Sequence, residues 1–449
     1  MVTVPESTRV RGFSGRDAPS FDLIRKCVHC GFCLPSCPTY RITWRERSSP
    51  RGRIWLMKSV AEGRLDLLDP VFAEEMQLCL NCRACEAVCP SGVHYGQILE
   101  ASRAQLVQHR PQSLRERLYR VLGFRILLGD MRRFRAANKL LRWYQRSPVR
   151  MLVRRSGVLR ALGLEHAEAM LPTIPERFVV PDGRFFPAEN ERRGRVALFT
   201  GCVMSTAYAH VHEATIRVLT RNGFDVVLVS GQQCCGALHV HSGEPELGRD
   251  LARRNIEALE SPYLDAIIVN AAGCGAMLKE YPQLLNHDHS YAERARALAA
   301  KVRDVLEFLV ERGLTAQPGA LPWTVTYQEP CHLAHAQRIT QQPRVLLRAI
   351  PQLRLVEMAE SALCCGSAGI YNLLQPDMAS ALLERKLDNA LATGAEVIVS
   401  ANPGCMLQLE AGLRARGLRV PVLHLIEVLD RAYTAATVPA ARALPVAAE

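Results

Sequence analysis

The sequence predicts a mixed fold, in which a mostly helical N-terminal domain is followed by two similar α/β domains. Two observations support this prediction. The sixteen cysteines of the 449-residue chain fall into two groups, and each group is a pattern that occurs twice. After Arg195, short apolar segments alternate with segments of helical period, as in domains built around a parallel sheet. We expect domains at 1–100, 193–318 and 319–435, with a basic helical connector and linker at 101–192.

The composition is that of a globular chain. Hydrophobic residues make up 48% of the sequence, which is sufficient for packed cores, and charged residues make up 22%. The segment Met1–Arg9 has no apolar stretch after its charges, so a secretory signal is not expected. No apolar run approaches the ~20 residues of a membrane-spanning helix. Clustered C-x2-C cysteines without a leader indicate metal sites, and the expected location is the cytoplasm.

The helical character of the N-terminal domain is predicted from the residues between its two cysteine motifs. Apolar side chains recur there at helical intervals in two stretches. They are Ile54, Met57, Val60 and Ala61 in the first stretch and Phe72, Met76 and Leu80 in the second. We therefore expect helices that carry the cysteine motifs on a common apolar core.

Both N-terminal motifs have the spacing C-x2-C-x2-C-x3-C-P. They contain Cys27, Cys30, Cys33 and Cys37 before Pro38, and Cys79, Cys82, Cys85 and Cys89 before Pro90. This is the bacterial spacing for a pair of [4Fe–4S] clusters, in which the fourth cysteine of each motif binds the other cluster. We therefore predict a ferredoxin-type domain with two [4Fe–4S] clusters. The predicted ligands are Cys27, Cys30, Cys33 and Cys89 for the first cluster and Cys79, Cys82, Cys85 and Cys37 for the second.

A pair of structural zinc sites is the alternative interpretation of these motifs. Zinc sites usually combine two separated pairs of ligands around one tetrahedral ion, and this spacing suits that arrangement poorly. His29 lies inside the first motif as a further candidate ligand. Because four cysteines are already available for each cluster, we expect His29 to be a hydrogen-bonding neighbour or an exposed side chain.

The connector carries the excess positive charge of the chain. Residues 101–160 contain sixteen Lys or Arg against two acids, whereas the net charge of the whole chain is +12. Apolar residues alternate with these charges, among them Leu114, Leu118, Val121 and Leu122. Such a basic amphipathic segment fits an anionic membrane surface or an acidic partner, and solvated helices between two domains are the alternative. We do not expect nucleic-acid binding, because neither a helix-turn-helix nor a stacking platform is apparent. A polar linker punctuated by four prolines follows, at Pro172, Pro175, Pro181 and Pro187.

The α/β region is predicted from its strands and helices in order. The expected strands are 196–200, 225–229, 266–270, 324–327, 353–357 and 397–400. The expected helices are 212–222, 246–259, 345–350 and 379–391. Cysteines in this region stand where strands end, which is where open α/β sheets bind their ligands.

The second group of cysteines indicates that this region is duplicated. Cys202, Cys234 and Cys274 recur as Cys331, Cys364 and Cys405, at offsets of 129, 130 and 131 residues. Adjacent cysteines, such as Cys234 and Cys235, do not readily form a disulfide with each other, but they can present two sulfurs to one metal centre. Each half therefore offers four thiols to a candidate iron–sulfur cluster or zinc ion. The two sets are Cys202, Cys234, Cys235 and Cys274, and Cys331, Cys364, Cys365 and Cys405.

These halves resemble the CCG, or cysteine-rich, domains of heterodisulfide reductase and of several dehydrogenase iron–sulfur subunits. In that family the pattern ends in C-x-x-C, and the domain can hold an additional iron–sulfur cluster. In this chain Ala271 and Asn402 stand where the first cysteine of that pair is expected. The departure argues against five-thiol ligation and against a stand-alone thiol–disulfide reductase, which would use adjacent cysteines as working thiols. The histidine beside Cys331, His332, is a candidate ligand, although an ordinary polar contact is the expected role.

Over nearly its whole length the chain resembles the iron–sulfur subunits of bacterial glycolate oxidase, a glycolate dehydrogenase. The resemblance is carried by the cysteine motifs and by shorter stretches, namely Pro50–Ile54, Cys89–Val93, Cys234–Ala237, Gly273–Ala276, Lys279–Tyr281 and Leu363–Gly369. It implies a non-catalytic electron-transfer subunit of an oxidoreductase complex. A partner flavoprotein with FAD would oxidise glycolate, and often D-lactate, to the corresponding oxo acid. Electrons would then pass through this chain toward a respiratory acceptor such as quinone, at the inner face of the cytoplasmic membrane.

Two alternatives share these modules. The iron–sulfur subunits of D-lactate and anaerobic glycerol-3-phosphate dehydrogenases have the same arrangement, and the cysteine motifs do not contact substrate. No G-x-G-x-x-G motif follows an expected strand, no P-loop is present, and no nucleophile–base pair is evident. We therefore expect no catalytic residues in this chain, and the redox chemistry is assigned to cofactors.

Overall fold

The computed structural model describes residues 12–437. The segment on which the expectation about a secretory signal depends, Met1–Arg9, lies outside this range. Among the described residues, no helix is long and apolar enough to cross a membrane.

The N-terminal domain is helical, as predicted. Its helices are α1 (Phe21–Ile24), α2 (Pro38–Thr43), α3 (Pro50–Ala61), α4 (Pro70–Leu78), α5 (Ala84–Ala87) and α6 (Tyr95–His109), with a 3₁₀ turn at Glu46–Ser48. Helix α3 begins where the Ser49 hydroxyl accepts a hydrogen bond from the Gly52 amide at 3.0 Å, and α4 is capped in the same way by Asp69. Proline at the first position of each helix supplies a suitable φ angle. The core contains the predicted apolar residues, although Leu80 lies in the loop after α4.

The connector is a series of short helices on the protein surface. They are α7 (Leu114–Tyr119), a π-helical segment (Arg120–Leu127), α8 (Met131–Arg146), α9 (Val149–Arg155), α10 (Val158–Ala161) and α11 (Glu165–Ala169). Phe124 is buried and its ring packs against His239 of the first α/β domain, at 5.4 Å between ring centroids. In contrast, Leu114, Leu118 and Leu122 are exposed, so much of the predicted apolar face is not covered by the described chain.

The first α/β domain contains a five-stranded sheet. Its strands are β1 (Phe185–Phe186), β2 (Gly194–Leu198), β3 (Phe224–Val227), β4 (Ala266–Val269) and β5 (Val302–Asp304), in the order β1-β3-β2-β4-β5. All pairs are parallel except β1 with β3. The helices are α12 (Val203–Thr206), α13 (Ala209–Arg221), α14 (Ala237–His241), α15 (Pro245–Leu259), α16 (Ala272–Lys279), α17 (Tyr281–Leu284), α18 (Ala292–Lys301) and α19 (Val305–Arg312).

The second α/β domain repeats this plan with four parallel strands. They are β6 (Thr324–Tyr327), β7 (Arg354–Leu355), β8 (Val397–Ser400) and β9 (Val422–His424), in the order β7-β6-β8-β9. A π-helical segment (His332–Ala336) follows β6, and the remaining helices are α20 (Gln342–Arg348), α21 (Tyr371–Leu374), α22 (Pro376–Leu391), α23 (Pro403–Ala415) and α24 (Leu425–Thr437). The prediction of duplicated α/β domains with parallel sheets is confirmed, with the strand expected at 353–357 shortened to two residues.

The two α/β domains share one apolar core. Val196 and Val226 of the first sheet and Val325 and Val399 of the second belong to the same buried cluster. Helix α24, the last helix of the second domain, packs on α13 of the first, and the Arg217 guanidinium binds the Asp430 carboxylate at 2.7 Å. This shared core brings the cysteine-bearing ends of both sheets toward each other.

Candidate iron–sulfur sites

The first thiol-lined cavity lies at the surface of the helical domain. Its empty volume is about 410 Å³, and its walls include Cys27, Cys30, Cys33 and Cys89, the four predicted ligands of the first cluster. Cys85 also touches this cavity. Cys30 is exposed, and the neighbouring side chains of Val28 and Phe32 are each 68% exposed. The ring of His29 packs edge-on against Trp55, at 5.7 Å between ring centroids.

The second cavity lies deeper, where the helical domain meets the α/β domains. Its empty volume is about 310 Å³, and its walls include Cys37, Cys79, Cys82 and Cys85. These are the four predicted ligands of the second cluster, and all four are buried. Cys37 thus lines a cavity with the cysteines of the other motif, as the crossed pattern requires.

The thiols surround space for a cluster and not a position for a single ion. Within residues 12–437, no three His, Cys, Asp or Glu side chains converge on a point where one metal ion would be bound. A structural zinc site needs four ligands around one ion at about 2.0–2.3 Å. The wider arrangement, with all sixteen thiols free of disulfides, fits the chemistry of iron–sulfur clusters.

Polar groups contact the sulfurs of the second cavity. The Tyr95 hydroxyl donates to Cys79 Sγ at 3.6 Å, and the Thr39 hydroxyl lies 3.3 Å from Cys37 Sγ. Arg53, which is fully buried, donates to Thr39 at 3.0 Å and to the Glu75 carboxylate at 3.3 Å. Groups of this kind orient ligands and influence cluster potentials.

A buried ionic network surrounds the loop of the second motif. Arg83 lines the second cavity, and its guanidinium donates to Glu280 at 2.7 Å and to Glu100 at 3.0 Å. Although burial opposes its charge, the carboxylates of Glu280, Glu100 and Glu86 raise the pKa of Arg83. Burial and the nearby Glu100 raise the pKa of Glu280, while Arg83 and His241 outweigh burial and lower the pKa of Glu100. The network joins the helical domain to the first α/β domain.

The cysteines of the α/β domains form two quartets, each at the carboxyl ends of its parallel strands. The first quartet is Cys202, Cys234, Cys235 and Cys274, and the second is Cys331, Cys364, Cys365 and Cys405. In the first quartet, Cys234 Sγ donates to Cys202 Sγ at 3.9 Å. A hydrogen bond with Cys234 and burial raise the pKa of Cys202. In the second quartet, hydrogen bonds with Cys331 and Cys365, together with burial, raise the pKa of Cys364.

The residues that replace cysteine in the family pattern lie between the quartets. Asn402 Oδ1 accepts from the Gly273 amide at 3.3 Å, and its Nδ2 donates to Cys405 Sγ at 3.4 Å. Ala271 is buried in an apolar cluster. His332 Nε2 lies 2.9 Å from the Asn81 carbonyl, and burial lowers the pKa of His332 to about 3. These contacts fit the expectation that His332 is a polar partner at the end of a strand.

The charged residues of these sites were not predicted from sequence. Arg83 stands inside the second motif, and Arg53 belongs to the stretch Pro50–Ile54 that carries part of the resemblance, so both could have been found there. Glu100, Glu280 and His241 lie in ordinary helical sequence, which carries no sign of their role. Only the fold brings them to the second cavity.

Two thiol-lined cavities in a helical domain, joined to duplicated cysteine-rich α/β domains, define an iron–sulfur protein of electron transfer. Residues 23–93 match the 4Fe-4S dicluster domain, and residues 196–279 and 325–410 match the cysteine-rich domain. Residues 115–171 match the linker region of the glycolate oxidase iron-sulfur subunit.

Similar proteins span nearly the whole chain. The chain is 44% identical to the probable glycolate oxidase iron-sulfur subunit of Bacillus subtilis (strain 168), over 90% of this chain and 92% of that protein. It is 36% identical to the glycolate oxidase iron-sulfur subunit of Escherichia coli (strain K12), over 91% and 94%. It is 27% identical to a fumarate reductase (CoM/CoB) subunit of Methanothermobacter marburgensis, over 96% and 76%. The chain belongs to the family of glycolate oxidase iron–sulfur subunits, and it is an iron–sulfur subunit of an oxidoreductase complex.

Proposed function

We propose that this chain accepts electrons from a partner FAD-containing subunit that oxidises glycolate to glyoxylate, with D-lactate as a second substrate. The observation that carries the proposal is the similarity over nine-tenths of the chain to two glycolate oxidase iron–sulfur subunits. Substrate oxidation occurs on the flavoprotein, which releases a pair of electrons. This chain passes them on singly toward a respiratory acceptor such as quinone.

We assign the predicted ligand sets to two [4Fe–4S] clusters. Cys27, Cys30, Cys33 and Cys89 bind the first, and Cys79, Cys82, Cys85 and Cys37 bind the second. Support comes from the two cavities, because each predicted set lines one of them. The bound clusters supply one-electron redox chemistry, and the protein provides thiolates, hydrogen bonds and an apolar surrounding.

We assign the contact with the flavoprotein to the surface around the first motif. Cys30 is exposed there between the exposed apolar side chains of Val28 and Phe32, and Trp44 stands nearby with 73% of its surface exposed. An exposed apolar rim around a redox site is the kind of surface on which a redox partner docks. The second motif is covered by the α/β domains and offers no comparable approach.

We further propose that the connector holds the complex at the inner face of the cytoplasmic membrane. On helix α8, Arg132, Arg133 and Lys139 are exposed beside exposed Leu140 and Trp143. A helix with cationic and apolar side chains at its surface suits the interface of an anionic bilayer. An acidic patch of a partner protein is the alternative, and binding to anionic vesicles without other proteins distinguishes the two.

A stand-alone thiol–disulfide reductase is disfavoured. Such an enzyme needs a low-pKa, accessible thiol. Cys234 and Cys235 are buried, and so are Cys364 and Cys365.

The proposal is tested by adding glycolate to the anaerobically purified complex and recording the visible iron–sulfur absorbance. We expect glycolate to bleach it, because electrons from the flavin reduce the clusters. Absence of bleaching, in a preparation that contains flavin and is bleached by dithionite, would overturn the glycolate assignment. D-lactate and glycerol-3-phosphate, added to the same preparation, identify the substrate in that case.

A further inference from the structure

The loop of the second cysteine motif packs directly on the second quartet. Leu80, Cys82 and Ala84 belong to one buried apolar cluster that also contains Cys364 and Tyr371, and Cys331 packs against this cluster. The two thiols nearest to the contact influence each other, since Cys331 follows burial among the causes that raise the pKa of Cys82. The second cavity and the second quartet are therefore neighbours without an intervening layer of protein.

Hydrogen bonds fix this contact from three sides. The Tyr371 hydroxyl donates to the Leu78 carbonyl at 2.8 Å, just before Cys79. His332 Nε2 lies 2.9 Å from the Asn81 carbonyl, which places the residue after Cys331 against the residue before Cys82. Arg338 donates to the Ala87 carbonyl at 3.0 Å. Every one of these bonds joins the second motif to the second α/β domain.

The first quartet has different neighbours. Cys202, Cys234 and Cys235 lie in a buried apolar cluster that takes Met131 from the connector and, among the described residues, none from the cysteine motifs. The first α/β domain contacts the second motif through polar side chains, such as the ion pair of Glu280 with Arg83. The two quartets are alike in sequence but unlike in their position relative to the second cavity.

We propose that the second quartet binds a redox-active iron centre that exchanges electrons with the second [4Fe–4S] cluster, whereas the first quartet lies off this route. The inference rests on the proposed function. Electron transfer between buried centres slows steeply with distance, so direct packing of their ligands favours this step. One electron leaves the reduced second cluster, which is thereby reoxidised, and reduces the centre at the second quartet. No bond is made or broken, and the reduced flavin of the partner supplies the electron.

The test compares matched variants of the two quartets in the anaerobically purified complex. Cys364→Ser alters the second quartet, and Cys234→Ser alters the equivalent position of the first. The readouts are iron content and the electron paramagnetic resonance spectrum of the dithionite-reduced protein. We expect the native spectrum to show magnetic coupling between the second cluster and a neighbouring centre. Cys364→Ser should remove the coupling and sharpen the signal, while Cys234→Ser should leave it.

Several outcomes would overturn the inference. Native iron of only about eight atoms per chain, the content of two [4Fe–4S] clusters, would mean that the second quartet is empty. Equal spectra for the two variants, or coupling lost only in Cys234→Ser, would also contradict it. If Cys364→Ser loses the ferredoxin-type clusters, Cys405→Ser tests the same quartet from the side away from Cys82. Bleaching by glycolate is measured separately, so the proposed function can stand when this inference fails.

Discussion

Arg83 Nη1 lies 2.7 Å from Glu280 Oε1, and this buried ion pair joins the second cysteine motif to the first α/β domain. The two residues are 197 positions apart in the chain. The same guanidinium donates to Glu100 at 3.0 Å, so one cation neutralises carboxylates from two domains. The position of the second motif therefore depends on charge pairing as well as on apolar packing.

Removal of this cation should weaken the domain contact strongly. Arg83→Gln leaves Glu280 and Glu100 buried without their partner, and loss of one member of a buried pair typically costs about 3–5 kcal/mol. We expect a lower apparent midpoint of thermal unfolding and loss of iron from the second cluster, measured by circular dichroism and iron analysis under anaerobic conditions. Arg338→Gln, which removes bonds from an exposed side chain to backbone carbonyls, is the control and should cost about 1 kcal/mol. Equal effects of the two variants would contradict the role of Arg83.

Gly96 provides the space that Arg83 occupies. A Cβ atom at this position would lie 2.1 Å from Arg83 Cζ, whereas one at Gly123 would meet nothing within 4 Å. Gly96→Ala should therefore displace the guanidinium and destabilise the protein, while Gly123→Ala should have little effect. In a double variant with Arg83→Gln, the two losses should not add, because both act on the same contact. Additive losses in thermal unfolding would show that Gly96 acts elsewhere.

The crossed ligation predicts which cluster each fourth cysteine supports. Cys37→Ser should remove the second cluster and spare the first, although Cys37 belongs to the first motif. Cys33→Ser, in the same motif, should remove the first cluster. Iron content should fall by about half in both variants, and the remaining electron paramagnetic resonance signal should differ between them. Loss of the same signal in both variants would favour uncrossed ligation.

Asp304 should make stability depend on pH. Burial raises the pKa of its carboxyl from 3.8 to about 7, with Lys279 opposing and Glu307 reinforcing this shift. Between these two pKa values the folded protein holds a proton that the unfolded chain releases. Stability should therefore fall as pH rises from about 4 to about 7, by up to about 4 kcal/mol, and then level off.

Replacement by asparagine isolates this effect. The Asp304 side chain caps α19 by accepting from the Leu306 amide at 2.9 Å, and asparagine can keep that bond. Asp304→Asn should raise the apparent unfolding midpoint at pH 8 and have a smaller effect at pH 5.5. Asp250→Asn, at an exposed position, should leave the pH profile as it is. An unchanged profile for Asp304→Asn would mean that another group titrates.

Charge reversal on α8 should release the protein from anionic vesicles. Each basic residue near such a surface contributes about 1 kcal/mol, so converting Arg132, Arg133 and Lys139 to Glu should weaken binding at least about 100-fold. Co-sedimentation with phosphatidylserine-containing vesicles measures this. A control with the same net charge converts Arg254, Arg348 and Arg419, exposed residues of the α/β domains. If both triple variants lose binding equally, net charge and not the connector is responsible.

The local features of this protein could be predicted from its sequence. The motif spacing predicted two ferredoxin-type clusters, and the apolar periodicity predicted the helical core with Met57 and Phe72 and the strands at 324–327 and 397–400. These features depend on residues close together in the chain, where helical and strand periods are visible. Strands β5 and β9 were missed, since three residues are too short to display a period.

The way in which the domains meet became visible in the folded chain alone. Folding brings Arg83 to Glu280, Cys82 to Cys331, and Asn402 to both Gly273 and Cys405. Such contacts join residues distant in the chain and depend on which faces of folded domains pack together. The duplicated cysteine pattern made the quartets look equivalent. Their different surroundings follow from packing around the shared core, which no local pattern encodes.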